Sequence, residues 1–120
     1  VTRGCDPSWV RKIYDFAITP DIAFYFRVPL DTAMDRILSG RPKLKFYEAG
    51  ADLNLAKDLY ESFRIFQSRI IKQYEGMSKR ENFFIMDATM PIHEQQQVMR
   101  ARVRKLLPKK LKKKTVMEVP

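Results

Sequence analysis

The stretch Pro20–Glu48 reads PDIAFYFRVPLDTAMDRILSGRPKLKFYE, and its reading decides the fold. Ile22, Ala23, Phe24, Tyr25 and Phe26 form an apolar run that is continuous rather than alternating. Such a run suits a strand covered on both faces, as in a parallel sheet, and predicts a strand over 21–28. After Val28–Pro29, Asp31 is placed to cap a helix. Ala33, Met34, Ile37 and Leu38 then recur at helical spacing, and Gly40 is a natural stop. Arg41, Lys43 and Lys45 follow at alternate positions, so an extended segment would present all three charges on one side. Tyr47–Glu48 closes the stretch.

Working outward, Asp6–Pro7 reads as a helix start, with Asp as cap and Pro at the first helical position. Trp9, Ile13, Phe16 and Ala17 give that helix one apolar face, and Pro20 breaks it. On the other side, a long helix is predicted over about 52–74. Leu55, Leu59, Phe63, Phe66, Ile70 and Tyr74 form its stripe, and Gly76 ends it. Phe83, Phe84, Ile85 and Met86 read as a second buried strand, which ends at Asp87–Ala88–Thr89. Thr89 is available to cap the next helix. Pro91 opens that helix, with Ile92, Met99, Val103 and Leu106 along one side, and Pro108 stops it.

The predicted order is α–β–α–loop–α–β–α, an α/β class in which two buried strands are joined by a right-handed crossover. Two strands alone do not make a stable parallel sheet, and apolar edges invite association. The chain is therefore expected to be part of a larger domain or to pair with another chain. Its start at Val1 rather than Met fits a chain whose N-terminal part has been removed.

The 120 residues are 45% hydrophobic, enough for one domain or a portion of one. No apolar run approaches the roughly 18 residues of a membrane span, and no secretory signal is visible. The single cysteine, Cys5, excludes an internal disulfide and a multi-cysteine zinc site; it reads as a reduced thiol of a cytoplasmic protein. The net charge is +9, but residues 99–120 carry nine cations and one acid, which leaves the first 98 residues near neutral. Basicity is a property of residues 99–120, and the tail within them, residues 108–120, reads as a solvated disordered segment.

Several residues can carry chemistry. Arg36, Arg41, Lys43 and Lys45 can neutralise the charge that phosphoryl transfer spreads over the migrating group, and Arg grips phosphate oxygens through two nitrogens. A mobile cationic loop can also close over a site and exclude water. From composition alone the same run reads as a solvated basic loop. Tyr47 can stack on a base or donate to phosphate, and Glu48 can accept from a sugar hydroxyl or hold a metal-bound water. The pair also reads as a half-buried anchor beside a helix-start acid. Asp87 to Pro91 lies where ligands bind in open α/β sheets, at the carboxyl end of a strand, though a structural turn explains it equally well. His93, the only histidine, reads as a surface residue, and the six methionines as core filler. No GxxxxGK[ST] phosphate loop is present, and no acidic motif for Mg²⁺ stands out. The chain alone is therefore not expected to catalyse phosphoryl transfer.

Arg3–Gly4, Trp9, Phe16–Ala17, Pro20–Asp21, Val28–Pro29, Arg36–Ile37, Tyr47–Glu48 and Asp87–Ala88–Thr89 fall in an order and spacing that resembles the C-terminal half of thymidylate kinase, especially archaeal-type versions. The resemblance covers residues 1–107, with a lid at about 36–48, and leaves out the tail. It implies the C-terminal part of a P-loop nucleoside-monophosphate-kinase fold, a parallel sheet flanked by helices, with its last two strands present. It implies transfer of the ATP γ-phosphate to dTMP, with Mg²⁺ held mainly by the half that precedes Val1. By resemblance, Arg36 and Arg41 contact donor phosphates. Lys43 and Lys45 stand on the ATP side, where members vary. Tyr47 and Glu48 lie near the thymidylate sugar, and Ala88, Thr89, Met90 and Pro91 lie against adenine. No metal ligand falls in this chain. The family also implies homodimers, whose contact helices lie largely outside this chain. Nucleic acid is not an expected partner of this reading. Two alternatives remain: a non-catalytic nucleotide- or nucleic-acid-binding module with a basic tail, or a kinase for a different acceptor.

Overall fold

The computed structural model describes residues 1–40 and 43–108. Arg41 and the lysine run from residue 109 onward, both read above, lie outside the described residues. The elements are α1 (Pro7–Ile13), β1 (Phe24–Arg27), α2 (Leu30–Gly40), a 3-10 turn (Ala51–Leu53), α3 (Leu59–Arg80), β2 (Phe84–Asp87) and α4 (Ile92–Leu106). Their order is the predicted one, and the class is α/β.

Local chemistry explains most boundaries. The Asp6 side chain accepts from the Trp9 amide at 2.9 Å and caps α1 as expected. The apolar face read for α1 is not buried, however. The helix ends at Ile13, Phe16 and Ala17 lie beyond it, and Trp9, Ile13 and Phe16 are all exposed. Asp31 does not cap α2. The helix already begins at Leu30, with the Ala33 amide bonded to the Pro29 carbonyl, and the Asp31 carboxylate accepts from Arg64 at 2.9 Å instead.

The long helix starts later and ends later than its stripe predicts. Asn54 takes a left-handed conformation (φ 51°) that interrupts any helix from residue 52, and Asp58 caps α3 by accepting from the Glu61 amide at 2.9 Å. Gly76 does not end α3. One helical glycine costs only about 1 kcal/mol relative to alanine, and the turn beyond it carries the buried Ser78, so the helix runs to Arg80. Asn82, at φ 54°, then turns the chain toward β2.

The two strands pair in parallel, with Phe24 opposite Phe84, Tyr25 opposite Ile85, Phe26 opposite Met86 and Arg27 opposite Asp87. β1 is shorter than read, and β2 begins at Phe84 rather than Phe83 and runs through Asp87. Alternation places Tyr25, Arg27, Ile85 and Asp87 on one face. There α3 covers them: Tyr25 stacks on Tyr74 with ring centres 5.6 Å apart, and Arg27 pairs with Glu75. The other face meets α4, where the Arg102 guanidinium sits 5.0 Å from the Phe84 ring centre. Coverage on both faces is incomplete. Met86 is buried, but Phe26 and Ile85 are each 43% exposed. A two-stranded sheet leaves an open edge on each strand, so among the described residues part of each apolar face lacks a neighbour.

The core sits beside the sheet rather than on it. Met34 of α2, Leu44 and Ala49 of the connecting loop, and Phe63 of α3 form a buried cluster, with Leu30, Ile37, Leu38 and Leu59 packed around it. The loop after α2 is thus pinned by its own apolar residues, which matters for the lysines on either side of Leu44.

Candidate functional site

The carboxyl ends of β1 and β2 open on a cleft of about 680 Å³, lined in part by Arg27, Pro29, Ile71, Ile85, Asp87 and Thr89. Strand ends are where open α/β sheets place ligands. The Asp87 Oδ1 oxygen accepts from the Thr89 amide at 2.8 Å and from the Thr89 hydroxyl at 2.6 Å. The hydroxyl, then the amide, holds the Asp87 carboxyl below its ordinary range. Thr89 therefore does not cap α4. It folds back on Asp87, and the Pro91 carbonyl instead accepts the Glu94 and Gln95 amides. The Met90 carbonyl takes the Gln95 side-chain amide at 2.7 Å. The loop 87–91 is thereby closed by its own hydrogen bonds, with its backbone near the surface.

Arg36 joins this loop. Its Nη1 donates to the Ala88 carbonyl at 2.9 Å, so the exposed face of α2 and the turn after β2 form one edge. Two segments read separately in the sequence are brought together here. Arg27 and Glu75, which sequence reading missed, stand beside them: Arg27 Nε donates to Glu75 Oε1 at 2.7 Å, and a second bond makes the pair bidentate. The hydrogen bond to Glu75 pushes the Arg27 pKa up, and the reciprocal bond holds Glu75 down. Burial, then the Glu75 charge, pushes the nearby Tyr25 phenol up. A cation closing an apolar run just before Val28–Pro29 was the available signal; its partner, 48 residues on, was not readable.

In the loop 43–50 the Tyr47 ring is exposed rather than the half-buried anchor that one reading offered. Lys43 and Lys45 are exposed while Leu44 between them is buried, so the two lysines share an outward side. Tyr47 and Glu48 are held by a different set of residues from the Arg36–Ala88 edge. Tyr47 is 69% exposed, with its ring edge-on to Phe46, and its carbonyl accepts from Arg3 Nη2 at 2.7 Å. The half-buried Glu48 accepts the Lys45 amide at 3.4 Å, and its carbonyl accepts from the Gln67 side chain at 3.3 Å. Next to it Ala49 is fully buried, and its carbonyl takes the buried Ser62 hydroxyl at 2.7 Å. Gly50 follows at φ 63°, where an added Cβ would stand 2.7 Å from Phe66 Cγ. His93 is exposed, as read.

Among the described residues, no group of three or more His, Cys, Asp or Glu side chains is placed to hold a metal ion. No helix among them is long and apolar enough to cross a membrane.

No family model matches the chain. Curated homologues are thymidylate kinases. The "Probable thymidylate kinase 2" of Saccharolobus solfataricus is 39% identical over 97 residues, covering 80% of this chain and 46% of that protein. The "Thymidylate kinase" of Thermosipho africanus is 34% identical over 94 residues, covering 75% and 40%. The "Thymidylate kinase" of Fervidobacterium nodosum is 33% identical over 95 residues, covering 77% and 42%. The chain spans less than half the length of the curated relatives it matches.

Proposed function

We propose that this chain, whose curated homologues are thymidylate kinases, is the C-terminal part of a P-loop nucleoside-monophosphate kinase, with residues 1–107 as its kinase portion. It contributes the lid, at about 36–48, and the adenine side of the site. The reaction is transfer of the ATP γ-phosphate to dTMP. An acceptor phosphate oxygen forms the new bond to phosphorus, the bond to the bridging oxygen breaks, and ADP leaves.

The observation that carries this reading is the hydrogen bond from Arg36 to the Ala88 carbonyl. It sets a guanidinium from the lid helix against the turn that follows the last strand. Arg has five N–H donors, and this bond uses one of them. Phosphoryl transfer needs placed positive charge more than covalent chemistry. Arg36, Arg41, Lys43 and Lys45 supply it from one loop and its flanking helix. Ala88 to Pro91 offers a small-residue turn against which an adenine ring can lie, and Tyr47 and Glu48 meet the sugar of the acceptor.

Mg²⁺ and the phosphate cradle are assigned to the segment of the kinase outside this chain. When bound there, the metal would supply neutralisation of phosphate charge. The contribution of these residues is cationic and positional, so residues 1–120 alone are inactive.

The test is ADP release by the full-length protein, with dTMP, dUMP, dCMP and dGMP as acceptors. Release that depends on dTMP supports the reading. Release with another acceptor corrects the substrate. The reading fails if no acceptor is turned over and neither nucleotide binds.

A further inference from the structure

We infer that Arg3 is a positioning residue for the acceptor side of the site; this rests on the kinase reading above. One guanidinium makes three contacts there. Nη1 pairs with the Asp52 carboxylate, Nη2 donates to the Tyr47 carbonyl at 2.7 Å, and the group lies 4.9 Å from the centre of the Phe66 ring. These partners come from the loop, the 3-10 turn and α3, all of them 44 or more residues away from Arg3 in sequence.

The geometry suits an arginine specifically. A planar group with N–H donors along its edge can serve a carboxylate and a carbonyl while its face rests on a ring. A lysine keeps the charge but offers no plane. Phe66 is itself the residue against which Gly50 is closed, and Gly50 is two residues beyond Glu48. Arg3 therefore ties the backbone of Tyr47 to the same platform that sets the turn after Glu48. The backbone from which the exposed Tyr47 ring projects is fixed in this way, while the ring itself packs edge-on to Phe46. Arg3 touches no substrate in this account; it acts through Tyr47 and Glu48.

The Arg36–Ala88 edge has its own anchors, so Arg3 should affect one nucleotide and not the other. The experiment uses the full-length protein with Arg3→Ala and Arg3→Lys, and measures KM for dTMP and for ATP separately. Arg3→Ala is expected to raise the dTMP KM about tenfold, the scale of one lost charge-assisted hydrogen bond. The ATP KM should stay within about twofold, and Arg3→Lys should recover only part of the loss. Equal rises in both KM values, or full recovery with lysine, would overturn the assignment.

A second readout does not need turnover. Trypsin cleavage after Lys45 should be faster in Arg3→Ala than in the unsubstituted protein, and cleavage after Lys79 unchanged. If the full-length protein turns over no acceptor and binds neither nucleotide, the kinase reading falls by itself. The cleavage pattern then still decides whether Arg3 fixes this loop: unchanged cleavage after Lys45 overturns it.

Discussion

Arg36 and Ala88 are 52 residues apart in the chain and are joined by a hydrogen bond of 2.9 Å, from the guanidinium Nη1 to the carbonyl oxygen. This one bond links the helix after β1 to the turn after β2 and draws the edge of the proposed ATP side. Because Arg36 is exposed, removing it should cost function far more than stability. Arg36→Ala in the full-length protein is expected to raise the ATP KM about tenfold or more, the scale of a hydrogen bond to a charged group. The unfolding free energy should move by less than about 0.5 kcal/mol. Steady-state kinetics and a urea titration check both halves.

Gly50 is the position where backbone conformation and packing coincide. At φ 63° an L side chain is strained, and the Cβ would stand 2.7 Å from Phe66 Cγ. Gly50→Ala is expected to destabilise the chain by about 1–3 kcal/mol, the usual cost of a strained backbone site. The urea midpoint should fall with the slope unchanged. An unchanged midpoint would mean that the turn after Glu48 can open without cost.

Glu75 makes the stability of the chain depend on pH in one direction. Its pKa is held below the ordinary glutamate range, first by the hydrogen bond from Arg27. A carboxylate with a depressed folded-state pKa stabilises fully above its unfolded value, and this contribution is lost as pH falls through the folded value. The difference in melting temperature between the unsubstituted protein and Glu75→Gln should therefore be largest near about pH 6 and should close toward about pH 3. A constant difference across that range would rule out this linkage. The Arg27 charge does not titrate in the window.

Much of this arrangement was legible in the sequence. The apolar runs around Phe24 and Phe84, the cap at Asp6 and the outward lysines flanking Leu44 all follow from local pattern. Helix boundaries were less legible because single residues decide them. Asn54 accepted a left-handed conformation that no periodicity announces, and Gly76 was carried inside α3 by the turn beyond it. Thr89 and Asp31 looked like caps, but each found a better partner in three dimensions. The contacts that build the candidate site were the least legible. Arg27 with Glu75, Arg36 with Ala88, and Arg3 with Tyr47 and Asp52 join residues 44 to 52 apart. Such pairs depend on strand register and on the crossover, which composition and spacing do not encode.

Photolabelling with 8-azido-ATP tests the central claim most directly, because it reports where the adenine lies. In the full-length protein the label should fall on the tryptic peptide 81–100, which carries Ala88 to Pro91. Excess ATP should remove it, and dTMP should not. Labelling confined to other peptides, or labelling of 81–100 that ATP fails to compete away, would contradict the placement of the Arg36–Ala88 edge on the ATP side.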